Sequence, residues 1–149
     1  MVTDETGALT RLDLLGVGDS AELPKAVDAA DDDPVHARIH HQLHGYFSGE
    51  RQVFDLPLRL EGTPFRQKVW KALREVPFGR TVTYGELART VGSPGAARAV
   101  GGACGNNPIP LVVPCHRVLA SIGIGGWSAA PGLKEALLAH ERVDLTGLS

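Results

Sequence analysis

The stretch Thr83-Tyr84-Gly85-Glu86-Leu87-Ala88-Arg89-Thr90-Val91-Gly92-Ser93-Pro94-Gly95-Ala96-Ala97-Arg98-Ala99-Val100-Gly101-Gly102-Ala103 decides how this chain is read. Thr83 and Glu86 stand at the capping-box spacing that opens a helix, and Leu87 and Val91 give it an apolar side. Gly92-Ser93-Pro94 then makes a tight turn into a second helix from about Gly95. Two short helices around a glycine-containing turn predict a helix-turn-helix. The second of them is chemically odd, with the single long cation Arg98 in a field of Gly and Ala. Small residues let a backbone approach a partner closely, so such a helix can lie against the sugar-phosphate wall of DNA while Arg98 reaches into the groove. Close packing against another helix, with Arg98 merely exposed, accounts for the same residues.

Working towards the N-terminus, Thr63 and Pro64 open a helix whose buried stripe is Phe65, Val69, Leu73 and Val76, with Trp70 adjacent and Pro77-Phe78-Gly79 as its stop. Before it, Phe54, Leu56, Leu58 and Leu60 alternate with Asp55, Pro57, Arg59 and Glu61. That pattern predicts a half-buried strand, and Pro57 confines it to an edge. Asp33 as N-cap, Pro34 in the first turn, and Val35, Ile39, Leu43 and Tyr46 or Phe47 at helical spacing predict a helix over 34–47, stopped by Gly49. Leu23–Asp33 is an Ala/Asp/Pro-rich connection, and Ala8–Leu15 reads as a short strand. The helix over 34–47 also carries His36, His40 and His44 four apart. Without a carboxylate or cysteine at a fixed offset, they read as a solvated polar face, and no metal is expected.

The 149 residues carry a net charge of −2 that is unevenly distributed. Residues 1–62 hold 5 basic against 12 acidic side chains, a net of −7, whereas residues 63–149 hold 10 against 5, a net of +5. This asymmetry predicts an acidic N-terminal α/β scaffold domain, 1–61, followed by a helical domain, 62–149, that meets a polyanion. No apolar run approaches the ~18 residues that span a bilayer, and the acidic start lacks the features of a secretion signal. An intracellular protein is expected, cytoplasmic or, in a eukaryote, nuclear. Only Cys104 and Cys115 are present, without zinc-finger spacing, so neither a disulfide framework nor a structural zinc is indicated.

Downstream of the helix pair runs Pro110-Leu111-Val112-Val113-Pro114-Cys115-His116-Arg117-Val118. Sulfur attacks as thiolate, and a neighbouring imidazole that takes the proton is a standard way to make one near neutral pH. Cys115 is therefore a candidate nucleophile and His116 its base, although a buried cysteine beside a backbone-capping histidine fits the pair equally well. Cys104 reads as a small helix-packing residue.

Further segments join these: Tyr46-Phe47-Ser48-Gly49, Thr63-Pro64-Phe65, Val69-Trp70, Ala96-Ala97-Arg98-Ala99-Val100-Gly101, Asn107-Pro108-Ile109-Pro110 and Leu137-Leu138-Ala139-His140-Glu141. In this order and spacing, with Thr83–Ala88 and Val113–Val118, they resemble the methylated-DNA-protein-cysteine methyltransferase family, from about residue 42 to 143. The resemblance implies an α+β chain, with a shortened ribonuclease H-like N-terminal domain before a winged-helix-like helix-turn-helix domain. It also implies direct-reversal repair, in which an alkylated guanine is flipped out of double-stranded DNA and its O6-alkyl group, or the O4-alkyl group of thymine, passes to Cys115 in a single turnover. Cys115, His116, Glu141 and Tyr84 would carry that chemistry as nucleophile, base, orienter and proton donor. Arg98 would fill the space of the flipped base, and Ala96, Ala97 and Tyr84 would meet the minor groove. Pro110, Val113, Val118, Trp127 and Ser128 would form the base pocket, with Asn107 tying the helix-turn-helix to the active-site segment. No cofactor is implied; the expected partner is alkylated DNA with little sequence preference, and the expected state is a monomer.

The likeness has departures. The strand that usually precedes Gly7-Ala8-Leu9-Thr10 is largely missing, and Trp127 stands where the family usually has Tyr or Phe. Ala129-Ala130-Pro131 replaces a glycine-rich run, which stiffens or reshapes that loop. Two other function classes fit parts of the pattern. A non-catalytic helix-turn-helix regulator or damage sensor would not need Cys115, and a cysteine hydrolase would leave Arg98 and the basic half without a purpose.

Overall fold

The computed structural model describes residues 1–13, 33–125 and 132–146. Side chains that cap backbone amides set its helix starts. Asp33 accepts from the Val35 amide at 2.9 Å and, with Pro34 in the first turn, opens α1 at Pro34–Phe47, the range the spacing predicted. Thr63 accepts from the Arg66 amide at 3.2 Å and opens α2, Pro64–Arg74. Thr83 accepts from the Glu86 amide at 3.1 Å and opens α3, Tyr84–Thr90. Residues 91–96 turn the chain into α4, Ala97–Gly105, whose first residue lies two beyond the expected start. The last helix, α5, covers Leu133–His140.

The strands are short. β1, Val2–Thr3, pairs antiparallel with β2, Leu9–Arg11, so two residues of the strand thought largely missing are present. Residues 14 and 15 of the strand expected over 8–15 and the connection over 23–32 lie outside the described residues. The alternating segment over 54–61 keeps its burial pattern but is not a strand: it meets β2 through one isolated parallel bridge, Leu58 to Leu9. The Leu9 amide donates to the Pro57 carbonyl at 2.8 Å and the Arg59 amide to the Leu9 carbonyl at 3.0 Å. Pro57 has no N–H of its own, so the ladder cannot continue. β3, Val82–Thr83, and β4, Val118–Leu119, pair in parallel, Val82 opposite Val118 and Thr83 opposite Leu119. The whole is α+β.

One continuous cluster of buried side chains joins Leu9, Ile39, Leu43 and Tyr46 from the acidic half to Val69, Trp70, Leu73, Val100, Val113 and Leu137 from the basic half. Trp70 anchors it, its indole Nε1 donating to the Ala103 carbonyl at 2.9 Å and so tying α2 to α4. The chain passes close over this ring at Gly62, where an added Cβ would stand 2.6 Å from Trp70 Cη2. Trp70→Phe leaves the Ala103 carbonyl buried without that donor. The loss should destabilise the chain by about 1–3 kcal/mol and lower Tm by several degrees, read by urea and thermal unfolding.

Candidate active site

The segment after α4 is held by a side chain that mimics backbone. Asn107 Nδ2 donates to the Val113 carbonyl at 2.8 Å, and its Oδ1 accepts from the Ile109 amide at 2.9 Å. Between these points the buried Leu111 sits at φ 77°, a left-handed conformation that costs a side-chain-bearing residue roughly 1 kcal/mol. The strain persists because Asn107 and the Pro110–Val113 bridge fix the chain on both sides. Cys115–Arg117 then forms one 3-10 turn that runs straight into β4. Because β3 leads directly into Tyr84, the β3–β4 pairing brings Tyr84 towards Cys115 from the other end of the domain. The Tyr84 phenol is pushed up by burial and further by the thiols of Cys104 and Cys115, so it stays protonated as a donor.

Cys115 is buried at 2% exposure, and His116 and Glu141 are buried with it. Glu141 is not a surface helix residue. It follows the last turn of α5 and turns its carboxylate inward. Oε2 lies 2.6 Å from His116 Nε2, 2.5 Å from the Tyr46 hydroxyl and 3.1 Å from Arg117 Nη2, while Oε1 accepts from Arg117 Nε at 2.7 Å and from the Gly79 amide at 3.3 Å. Gly79 has φ +78°, and a Cβ there would meet the Glu141 carbonyl at 3.2 Å, so only glycine fits this close turn comfortably. Burial alone would raise the Glu141 carboxyl. The bonds from His116, Arg117 and Tyr46 outweigh burial and hold it at about 2.

An ionised carboxylate only accepts, so His116 Nε2 carries the proton that faces Glu141 and the basic lone pair of the ring is on Nδ1. Burial lowers the His116 pKa, and Arg117 and Lys134 lower it further against the pull of Glu141. The imidazole is neutral at physiological pH and able to take a proton.

Three groups at this site were not anticipated from the sequence. Tyr46 had been assigned only to a helix stripe. Arg117 stood in plain view beside His116, but its partners, Glu141 and the Val76 carbonyl at 2.7 Å, are 24 and 41 residues away. Lys134, buried in α5, donates from Nζ to the Val118 carbonyl at 2.6 Å. Its pKa is lowered by burial and raised by the Cys115 and Cys104 thiols, which marks an ammonium within the field of both sulfurs. The Cys104 thiol is pushed up to about 12, chiefly by burial, and is no rival nucleophile.

Of the expected DNA-facing residues, Ala97 and Arg98 lie on α4, Ala96 caps it and Tyr84 opens α3. Arg98 and Ala99 are exposed, Ala96 and Ala97 half-buried and Val100 buried. Gly102 and Gly105 face open space, and Tyr84 Cε1 lies 4.0 Å from where a Cβ on Gly101 would stand. Of the expected pocket residues, Val113 and Val118 are fully buried and Pro110 half-buried, while Trp127 and Ser128 lie outside the described residues. A cavity of about 210 Å³ opens beside Pro114 and Arg117, lined also by Phe54, Val76, Phe78 and Val112, but it includes neither Cys115 nor Tyr84. Among the described residues no group of three or more His, Cys, Asp or Glu is placed to hold a metal ion; His36 Nε2 instead meets Thr3 Oγ1 at 3.1 Å.

Residues 64–143 match the family model described as "6-O-methylguanine DNA methyltransferase, DNA binding domain". The chain is 52% identical over 102 residues to a methylated-DNA-protein-cysteine methyltransferase of Mycobacterium tuberculosis, a match covering 68% of this chain and 62% of the relative. It thus spans under two thirds of that relative's length. A constitutive methylated-DNA-protein-cysteine methyltransferase of Bacillus subtilis is 40% identical over 147 residues, covering 96% of this chain and 88% of the relative. Among solved structures, Mycobacterium tuberculosis OGT in complex with DNA superposes with a TM-score of 0.79 at 41% identity, covering 94% of this chain and 84% of that one.

The low carboxyl pKa has a consequence for stability. A group depressed from its ordinary 4.5 to about 2 stabilises the fold fully above pH 4.5, and that contribution is lost as the pH falls towards 2. Urea unfolding of Glu141→Gln should show a chain less stable than wild type at pH 7, with the gap narrowing steadily below about pH 4.5.

Proposed function

Because the chain belongs to the 6-O-methylguanine DNA methyltransferase family, we propose that it repairs O6-alkylguanine in double-stranded DNA by moving the alkyl group onto Cys115. One observation carries this reading: a buried cysteine followed by a neutral histidine whose proton is fixed on the nitrogen facing a buried carboxylate. In the proposed step His116 Nδ1 takes the Cys115 proton and Glu141 steadies the resulting imidazolium. Sulfur then bonds to the alkyl carbon as the bond from that carbon to guanine O6 breaks. Tyr84 gives a proton to the departing guanine and regains one from the site, so the net change is a thiol and an alkylguanine becoming a thioether and guanine. Thioether formation consumes the thiol and allows one turnover.

The surface of α4 supports a DNA-binding role. Its exposed glycines and half-buried Ala96 and Ala97 offer backbone to the minor groove, and Arg98 is the long cation available to occupy the space of a flipped base. Pro110, Val113, Val118, Trp127 and Ser128 are assigned to the base pocket, Lys134 to fixing the Val118 carbonyl and lending positive field to the thiolate, and Asn107 to holding the site to α4. The division into 1–61 and 62–149, a ribonuclease H-like first part, a winged-helix-like second part, monomeric action and an intracellular setting belong to the same proposal. No described helix is long and apolar enough to cross a membrane. A non-catalytic damage sensor has the disadvantage that it gives Cys115, His116 and Glu141 no work.

Incubation with a duplex containing O6-methylguanine should add one methyl to the intact chain and none to Cys115→Ala. Repeated turnover of an ester would overturn the assignment in favour of a hydrolase, and binding without mass gain would favour a sensor. Arg98→Ala should slow transfer from the duplex by roughly tenfold or more, because a flipped base must displace a few kcal/mol of stacking, yet leave reaction with free O6-methylguanine base unchanged. Raising salt from about 50 to 200 mM should weaken duplex binding by at least about tenfold in a band-shift assay.

A further inference from the structure

We propose that Tyr46, on α1 in the acidic half of the chain, is a positioning residue for the transfer: its hydroxyl pins the Glu141 oxygen that also receives His116, and so sets how strongly His116 holds a proton. This rests on the reading of Cys115 as alkyl acceptor and His116 as its base. The two donors share one atom, the Tyr46 hydroxyl at 2.5 Å and His116 Nε2 at 2.6 Å from Glu141 Oε2. A charge-assisted bond from a phenol draws negative charge off that oxygen, which leaves less of it to attract an imidazolium.

The phenol is itself held firmly. Tyr46 is fully buried; its ring stacks on Phe54 at 5.5 Å and meets Phe47 at 5.2 Å and Phe78 at 5.9 Å edge-on. Its carbonyl lies 2.7 Å from His140 Nε2, and the His140 ring stands 5.0 Å from its own. Burial and the adjacent Glu141 charge push the phenol far above its ordinary range, so the hydroxyl remains a donor across the whole working pH range. Among the described residues, Tyr46 from α1, Arg117 from the 3-10 turn, and Lys134 and His140 from α5 are titratable or charged groups around the His116–Glu141 pair, with Cys115 adjacent in the chain. Arg117 and Lys134 carry the cationic side chains there. Tyr46 is the neutral donor among them, so removing its hydroxyl changes one hydrogen bond and no formal charge.

Tyr46→Phe keeps the ring and deletes that bond. With more charge left on Oε2, His116 holds its proton more tightly, so the acid limb of the pH profile for methyl transfer should move up by about half to one unit. That corresponds to a three- to tenfold loss below the midpoint that shrinks at alkaline pH. A ¹⁵N-histidine NMR titration of the free chain should show the same movement of His116. Phe54→Leu, which loosens the packing around Tyr46 but keeps its hydroxyl, should lower Tm without moving either midpoint. Should Tyr46→Phe not fold, replacement of both tyrosines by 3-fluorotyrosine supplies a stronger donor and should move the His116 midpoint down. An unmoved His116 midpoint in Tyr46→Phe or in the 3-fluorotyrosine protein, or a rate loss in Tyr46→Phe equal at every pH, overturns the proposal. Absence of methyl gain by the wild-type chain overturns the transfer reading instead, and the NMR titration then decides Tyr46 alone.

Discussion

The Glu141 carboxylate is the constraint on which the rest of the site depends. A buried anion is tolerable only when its lone pairs are filled, and here they are filled from three parts of the chain: α1 through Tyr46, the turn before β3 through Gly79, and the 3-10 turn through His116 and Arg117, all converging on the end of α5. Each donor serves its own segment as well. Arg117 reaches past the carboxylate to the Val76 carbonyl after α2, and Tyr46 closes the aromatic cluster of Phe47, Phe54 and Phe78. The electrostatic centre of the site and the packing of the two halves are therefore one structure.

Such an arrangement explains how a fully buried histidine can sit beside a carboxylate and still be neutral. Burial and two cations keep the imidazole neutral, while the carboxylate fixes which nitrogen carries the proton and stands ready to stabilise the charged form. Arg117 adds to burial in opposing a proton on His116, and Glu141 defines the tautomer of the ring. The balance between the two sets how strongly the imidazole holds a proton.

Backbone geometry supplies the second requirement, an ordered approach of segments distant in sequence. Asn107 bridges Ile109 and Val113 and holds Leu111 in a conformation it would not adopt alone. The two-residue parallel pairing of β3 with β4 then joins the start of α3 to the end of the Cys115 turn. Few residues are involved, but each fixes direction: the pairing carries Tyr84 towards the sulfur, and the start of α4 places Arg98 on the exposed side of the same helix pair.

Local rules reached far along this chain. Asp33, Thr63 and Thr83 announced helix starts because an N-cap needs only a side-chain oxygen and the next three amides, whereas the Cys115-His116 pair became a candidate nucleophile and base over a structural pair only through the family segments around it. The segment over 54–61 was misjudged as a strand because alternation reports which face is buried, not whether a partner supplies hydrogen bonds, and Pro57 broke the ladder. Glu141 and Asn107 entered through family resemblance, since nothing within a few residues of either marks its role. Tyr46 and Arg117 were left in a stripe and a motif without partners, and Lys134 was not singled out. Their work depends on atoms 95, 24 and 16 residues away, and a sequence read by periodicity sees only what lies within a turn or two. The sequence by itself thus determined the first four helices and the family; which nitrogen of His116 faces Glu141, and how strongly the ring holds a proton, was decided by folding, which alone brings three distant segments onto one carboxylate.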